Sequence, residues 1–154
     1  YYNPTNVFVA EFIGSPQMNM LQGKLLKESS IVYFQTLDKK IQLPQELVDR
    51  LTVDAAGQDV LLGIRPEDIH YADNQDDSEV VTVKAKNVEQ VGSDTFLYFD
   101  LKSSGRDCAA RFNPPRMIQF DSNVHIKLDL SKALLFDKST EKTILTKRPT
   151  EGVL

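Results

Sequence analysis

The residues that could do chemistry in this chain are few and scattered, so the first question is what each could support. A phosphate-cradling loop needs Gly, four residues, then Gly-Lys-Ser/Thr, so that backbone amides and the lysine converge on one anion. The only Gly-Lys pair is Gly23-Lys24; Met18 stands where the first glycine belongs and Leu25 where the hydroxyl belongs. No GxGxxG spacing occurs. Ala133-Leu134-Leu135-Phe136-Asp137 has the outline of an apolar strand ending in a Mg²⁺-binding acid, but without a phosphate loop it reads as a buried strand and a turn.

His70, His125 and Cys108 are too far apart in sequence to form a local zinc motif. His125 lies on the polar phase of an alternating segment and is expected at the surface; His70 reads as structural. Cys108 shares a phase with Ala110 and Phe112 and reads as a small core residue. A Cys–His nucleophile pair is left open by spacing alone. The carboxylates Glu67-Asp68 and Asp76-Asp77 are adjacent, and neighbours on extended backbone point apart, which suits solvation better than paired acid/base work. Tyr33-Phe34 and Thr95–Phe99 put aromatic groups on both faces of a strand, so at least one face is core instead of a base-stacking platform.

The 154-residue chain is 41% hydrophobic and 26% charged, a globular composition long enough to bury a core without staples. Its formal charge of −4 argues against a nucleic-acid or anionic-lipid partner. One cysteine excludes an internal disulfide and suits a reducing compartment. The opening Tyr1-Tyr2-Asn3-Pro4 lacks the features of a signal peptide and the initiating Met, so a piece of a longer, cytoplasmic polypeptide is expected.

Positioning elements follow from periodicity. Phe8, Val9, Phe12 and Ile13 form one helical stripe, opened near Asn3-Pro4 and stopped by Gly14-Ser15-Pro16. Short strands are predicted at 23–27, 31–36, 40–43, 60–64, 81–86, 95–101, 108–112, 124–130 and 134–136, with a short helix after Pro44 carrying Leu47, Val48 and Leu51 on one face. Val60–Ile64 is apolar throughout and is expected to be buried on both faces. The phase slip at Asn87-Val88 predicts a β-bulge. The fold class is therefore mainly β: an OB-like small barrel or sandwich of two β subdomains, with a short N-terminal helix and one or two further short helices.

Three stretches together resemble one family. Asn6–Asn19 (NVFVAEFIGSPQMN), Gly63-Ile64-Arg65-Pro66-Glu67, and Val88–Asp94 with Leu135-Phe136-Asp137 resemble the ATP-binding subunits of maltose-type and multiple-sugar ABC importers, in their transport-associated OB (TOBE) regulatory region. The resemblance implies residues 1–17 as the end of a nucleotide-binding domain and linker, 18–140 as the regulatory domain with a possible subdomain boundary at 73–79, and 141–154 as a polar, partly frayed tail. It implies a full-length protein that uses ATP and Mg²⁺, dimerises, joins membrane subunits on the inner face of the cell membrane and can receive a regulatory protein. ATPase residues of the family have no positions to map onto here, so no catalytic, cofactor or metal residue is assigned to this chain.

Arg65, Glu67, Glu89 and Asp94 are the candidate partner contacts, because charged turns and loops at strand ends carry recognition as well as local structure. Phe8, Phe12, Pro16, Met18 and Asn19 are expected to pack between domains or act as a linker. The apolar helix lacks an evident partner in a self-contained β domain and is expected to be displaced or covered by a partner chain. An OB-like module binding a small ligand, such as an oxyanion, or an oligonucleotide is the alternative.

Overall fold

The computed structural model describes residues 3–7, 10, 16–37, 39–73 and 79–147. Among these residues eleven strands form three sheets. In chain order they are β1 (Asn19–Glu28), β2 (Ile31–Gln35), β3 (Lys40–Gln42), β4 (Asp59–Ile64), β5 (Ile69–Tyr71), β6 (Val80–Lys84), β7 (Asn87–Val91), β8 (Asp94–Phe99), β9 (Cys108–Phe112), β10 (Asn123–Leu128) and β11 (Leu134–Asp137). Helix α1 is one turn, Gln45–Val48, entered through Pro44 and burying Leu47.

The first sheet has the order β11-β4-β1-β2-β3, the second β5-β10-β6 and the third β7-β8-β9. The mainly β expectation holds, with OB-like sheets that stay open instead of closing into a barrel. The first sheet takes its edge strand β11 from near the end of the chain, where Leu135 pairs with Leu62.

One core fills the space among the sheets. Leu25, Phe34 and Leu62 from the first, Ile126 from the second and Leu97 and Phe99 from the third are fully buried in it. Each such side chain contributes about 1.5–3 kcal/mol by leaving water. Alternation explains which side chains arrive: on β8 Thr95, Leu97 and Phe99 point inward while Phe96 and Tyr98 are only partly covered.

Two expectations change. The phase slip at Asn87 is a change of sheet, not a bulge. β6 ends at Lys84, the Ala85 amide donates to Ser122 O at 2.8 Å, and the Lys86 amide donates to Tyr98 O at 2.9 Å. The backbone thus passes its pairing from the second sheet to the third within two residues. The tail is also packed further than its polarity implies. Ile144 and Leu145 are buried, and Leu145 bridges Leu51.

Of the N-terminal helix expected to be displaced or covered by a partner chain, only Val7 and Ala10 are described. Val7 and Ala10, the latter only 1% exposed, pack on Met18, Met20, Leu134 and Phe136. These four lie on the outer face of the first sheet, with half-buried Leu61 beside them. β4 is therefore covered on both faces, as its unbroken apolar run predicts, and the cover comes from this chain's own N-terminal residues. Phe8 and Phe12 lie outside the described residues.

Candidate functional site

Arg65 follows the last residue of β4, and Pro66–Asp68 form a single 3₁₀ turn leading straight into β5. Proline suits the first position of such a turn because its missing N–H has no helical acceptor there. The Asp68 amide donates to Arg65 O at 3.0 Å, and the Asp129 amide donates to Asp68 O at 2.9 Å. Arg65 and Asp68 are each 7% exposed, whereas Glu67 faces solvent. Burial, and next the neighbouring Glu67 charge, push the Asp68 carboxyl above its ordinary range, while Lys132 and Arg65 pull it back. The turn joins two sheets and presents one outward carboxylate.

Glu89 and Asp94 sit on the β7–β8 hairpin, whose two-residue turn starts with Gly92 at φ +60°, the glycine-first arrangement of a type II′ turn. Glu89 is exposed and stands opposite Phe96. Asp94 is held: Arg111 lies 3.0 Å from its carboxylate and Asn113 Nδ2 donates to it at 2.9 Å. The Arg111 and then the Asn113 hydrogen bonds keep its carboxyl below the usual range. Arg65 and Glu67 thus occupy one turn and Glu89 and Asp94 another. In each pair one member is the more covered, Arg65 and Asp94, and the other the more exposed, Glu67 and Glu89.

Pro16 is half-buried, while Met18 and Asn19 are buried. Met18 packs under the N-terminal cover; Asn19 opens β1 and reaches across to β9. Its Nδ2 donates to Ile64 O at 3.1 Å and to Ala109 O at 2.9 Å, and its Oδ1 accepts from the Ala109 amide at 2.8 Å. Arg106, not singled out by the sequence, adds to this joint: its guanidinium donates to Gln17 Oε1 at 3.0 Å and to Met18 O at 2.8 Å. A lone Asn between two methionines was the signal that could have found the joint.

The remaining chemistry-bearing residues are occupied structurally. Cys108 is fully buried. His125 Nδ1 is 2.9 Å from the Thr82 hydroxyl on the paired strand, and His70 Nε2 is 3.6 Å from Asp129. Among the described residues no group of three or more His, Cys, Asp or Glu gathers as a metal site, and no helix is long and apolar enough to cross a membrane.

Gly23 and Lys24 lie in mid-strand, opposite Val60 and Asp59, so their backbone belongs to a ladder and not to a phosphate-facing loop. Asp137 accepts hydrogen bonds from Ser139 and Thr140 in a turn.

A fourth feature is the loop 113–122. Its base is fixed by the Thr95 hydroxyl, which donates to Arg116 O at 3.1 Å and accepts from the Arg116 amide at 2.9 Å. Gln90 Nε2 also donates to Arg116 O at 3.1 Å, tying the loop to the hairpin. Met117 is fully exposed and Phe120 is 75% exposed, with Val91 at 56% on the hairpin. Exposed apolar groups on a fixed base can form part of a contact face.

Residues 14–69 match the MalK OB fold domain and residues 62–136 the TOBE domain. An uncharacterized ABC transporter ATP-binding protein, YcjV of Escherichia coli O157:H7, is 32% identical over 145 residues, covering 94% of this chain and 38% of that protein. The trehalose/maltose import ATP-binding protein MalK of Thermococcus litoralis is 32% identical over 148 residues, 94% of this chain and 39% of that protein. The sulfoquinovosyl glycerol transport ATP-binding protein SmoE of Agrobacterium fabrum is 31% identical over 145 residues, with 94% and 38% covered. The chain therefore spans less than half the length of the curated relatives it matches. A solved molybdate-binding protein, ModG, overlaps 76% of this chain and 94% of its own at 12% identity and TM-score 0.49, too loosely to carry an argument. Two overlapping matches running together from residue 14 to residue 136, with relatives aligned along nearly the whole chain, show that it belongs with the MalK OB fold and TOBE domains found in ABC transporter ATP-binding proteins.

Proposed function

We propose that this chain is the non-catalytic regulatory and dimerisation portion of the ATP-binding subunit of a carbohydrate ABC importer. The observation that carries the reading is the pair of overlapping domain matches, MalK OB fold then TOBE, on a chain that aligns with less than half of each relative. ATP and Mg²⁺ then belong to a nucleotide-binding domain outside this sequence, since no P-loop or signature motif is present within it. The full-length protein would work as a homodimer at the inner face of the cell membrane, coupling ATP hydrolysis to sugar uptake through membrane subunits and open to a regulatory protein.

Of the candidate contacts, Glu67 and Glu89 are the accessible ones. Glu89 shares the hairpin side of the third sheet with Val91, and the hairpin is bonded to the loop that displays Met117 and Phe120. An apolar patch beside a carboxylate suits a protein partner better than a nucleic acid.

The deciding experiment pairs two measurements. The purified chain is expected to hydrolyse no ATP, while the polypeptide extended through its upstream coding sequence does. Sedimentation of that longer form is expected to show a dimer weakened by Glu89→Lys or Met117→Asp. Nucleotide turnover by the chain alone, free of contaminating enzymes, sinks the reading.

A further inference from the structure

The tail that follows β11 is bonded on two sides. The chain leaves β11 through a turn held by the Asp137 carboxylate, which accepts from the Ser139 and Thr140 amides, and Glu141 completes the reversal at φ +60°. On its inner side the tail is anchored to the body of the molecule. The Ile144 amide donates to Leu135 O at 3.1 Å, the Thr52 amide to Ile144 O at 2.8 Å and the Thr146 amide to Arg50 O at 2.7 Å. The Arg50 guanidinium returns two bonds to Thr146 O, at 3.0 and 2.7 Å. Ile144 and Leu145 are buried in the main core.

On its other side the tail carries the N-terminal segment. Asn6 bridges Lys142 in antiparallel sense, the Val7 amide donates to Glu141 O at 3.0 Å and the Thr143 amide donates to Thr5 O at 2.9 Å. Thr143 in turn bridges Phe136, so residues 5–7 lie as an outer strip beyond β11 and the tail. The Ala10 amide then donates to Asn6 O at 3.1 Å, a single helical turn that brings Val7 and Ala10 onto Met18, Met20, Leu134 and Phe136. The two sides of the tail are unequal. The inner one combines backbone bonds, an arginine clamp and core side chains, whereas the seam between 5–7 and 141–143 rests on backbone bonds over a smaller apolar cluster. Local opening begins in such weakly buried, peripheral units.

We propose that the segment carrying residues 3–7 and Ala10 is a lid that opens as one unit along the seam with residues 141–143, baring the face of Met18, Met20, Leu134 and Phe136 while the tail stays in place. The closed position depends on the tail, because residues 141–143 supply the edge to which 5–7 are added. An open lid leaves a strand edge beside an apolar face, a combination that proteins keep covered against unwanted pairing. The device belongs to this chain by itself and does not rest on the function proposed above.

Native-state hydrogen exchange of the chain tests it. The Val7 and Thr143 amides donate in opposite directions across the seam, so a single opening must release both; their protection factors are expected to agree within about threefold. The Ile144 amide, on the inner side, should be protected at least about tenfold more. A cross-link supplies the converse. Asn6 and Lys142 form a non-hydrogen-bonded antiparallel pair, whose close Cα spacing suits a disulfide, and Cys108 is buried. Oxidised Asn6→Cys/Lys142→Cys should exchange Val7 and Thr143 at least about tenfold more slowly than its own reduced form, with Ile144 unchanged. A melting temperature of the reduced form close to that of the unaltered chain checks the fold. Met18 and Met20 of the cross-linked form should also be oxidised by hydrogen peroxide at least about threefold more slowly than in the unaltered chain, with fully exposed Met117 as the internal reference. Thr143 exchanging as slowly as Ile144, Val7 and Thr143 differing by more than about tenfold, or no slowing in a form whose cross-link is verified by mass overturns the proposal.

Discussion

Asn19 and Ala109 are joined by a two-bond pair, the Asn19 Nδ2 donating to Ala109 O at 2.9 Å while its Oδ1 accepts from the Ala109 amide at 2.8 Å. The side-chain amide copies the bonding of a neighbouring strand and so caps β9, the third sheet's edge, from the first strand of another sheet. With a third bond to Ile64 O it also fixes the end of β4, just before the Arg65–Asp68 turn. One buried side chain therefore ties the start of β1 to the end of β4 and to β9.

Asn19→Ala leaves a buried amide and two carbonyls unpaired. The expected loss is about 2 kcal/mol in urea unfolding, within the ordinary cost of stranding buried polar groups. Asn19→Asp keeps an acceptor for the Ala109 amide but gives up both donated bonds and buries a charge, so it should be no better. A loss below about 0.5 kcal/mol in both variants would show that the joint is held elsewhere.

Two glycines test how tightly the first sheet is covered. A Cβ on Gly23 falls 2.5 Å from the Phe34 ring and 2.6 Å from Gln35 O, and backbone cannot step aside. Gly23→Ala should cost about 2–3 kcal/mol. A Cβ on Gly63 meets chiefly the Met18 sulfur. Methionine is unbranched and adapts, so Gly63→Ala should cost less, about 1 kcal/mol. Calorimetric melting of the two variants ranks them, and a reversed order would contradict the packing described.

These contrasts mark where sequence reading succeeds and where it stops. Alternation was enough to find β8 and β10, because each has one face in the core and one more open to solvent, and period two is a local signal. It could not tell that Lys84 and Asn87 belong to different sheets, since a break in phase looks the same whether a strand bulges or changes partner. The motif residues Arg65 and Glu67 were legible as a turn. That the arginine faces inward and the glutamate outward was not, because both are charged and only the arrival of β9 distinguishes them.

Asp137 offers a pH handle. Hydrogen bonds from the Ser139 hydroxyl, then from the Thr140 and Ser139 amides, hold its carboxyl down to about 2 from an ordinary 3.8. A carboxylate whose folded pKa is depressed contributes stability that is fully present above the unfolded value and is lost as pH falls through the folded one. The urea midpoint should therefore drop between roughly pH 4 and 2, and Asp137→Asn should reduce that part of the dependence. Carbon-detected titration of the Asp137 carboxyl checks the cause directly, and a midpoint near 4 would refute it.

Ala10→Asp tests whether the N-terminal segment truly belongs to the sheet it covers. Ala10 is 1% exposed among Met18, Met20 and Phe136, with no room for a solvated charge. A carboxylate forced there must either protonate or lift the segment; lifting costs the apolar contacts of the cover and the backbone bonds from Val7 to Glu141 and from Thr143 to Thr5, while the main core lies on the opposite face of β1 and β4. The second course is the expected one. Met18 and Met20 methyl resonances should move toward exposed values and the chain should bind a hydrophobic dye, while Leu97 and Phe99 in the third sheet keep their native shifts. Unfolding of the whole molecule would instead show that the cover and the core are a single cooperative unit. Unchanged methionine resonances would mean that the cover does not sit on these side chains.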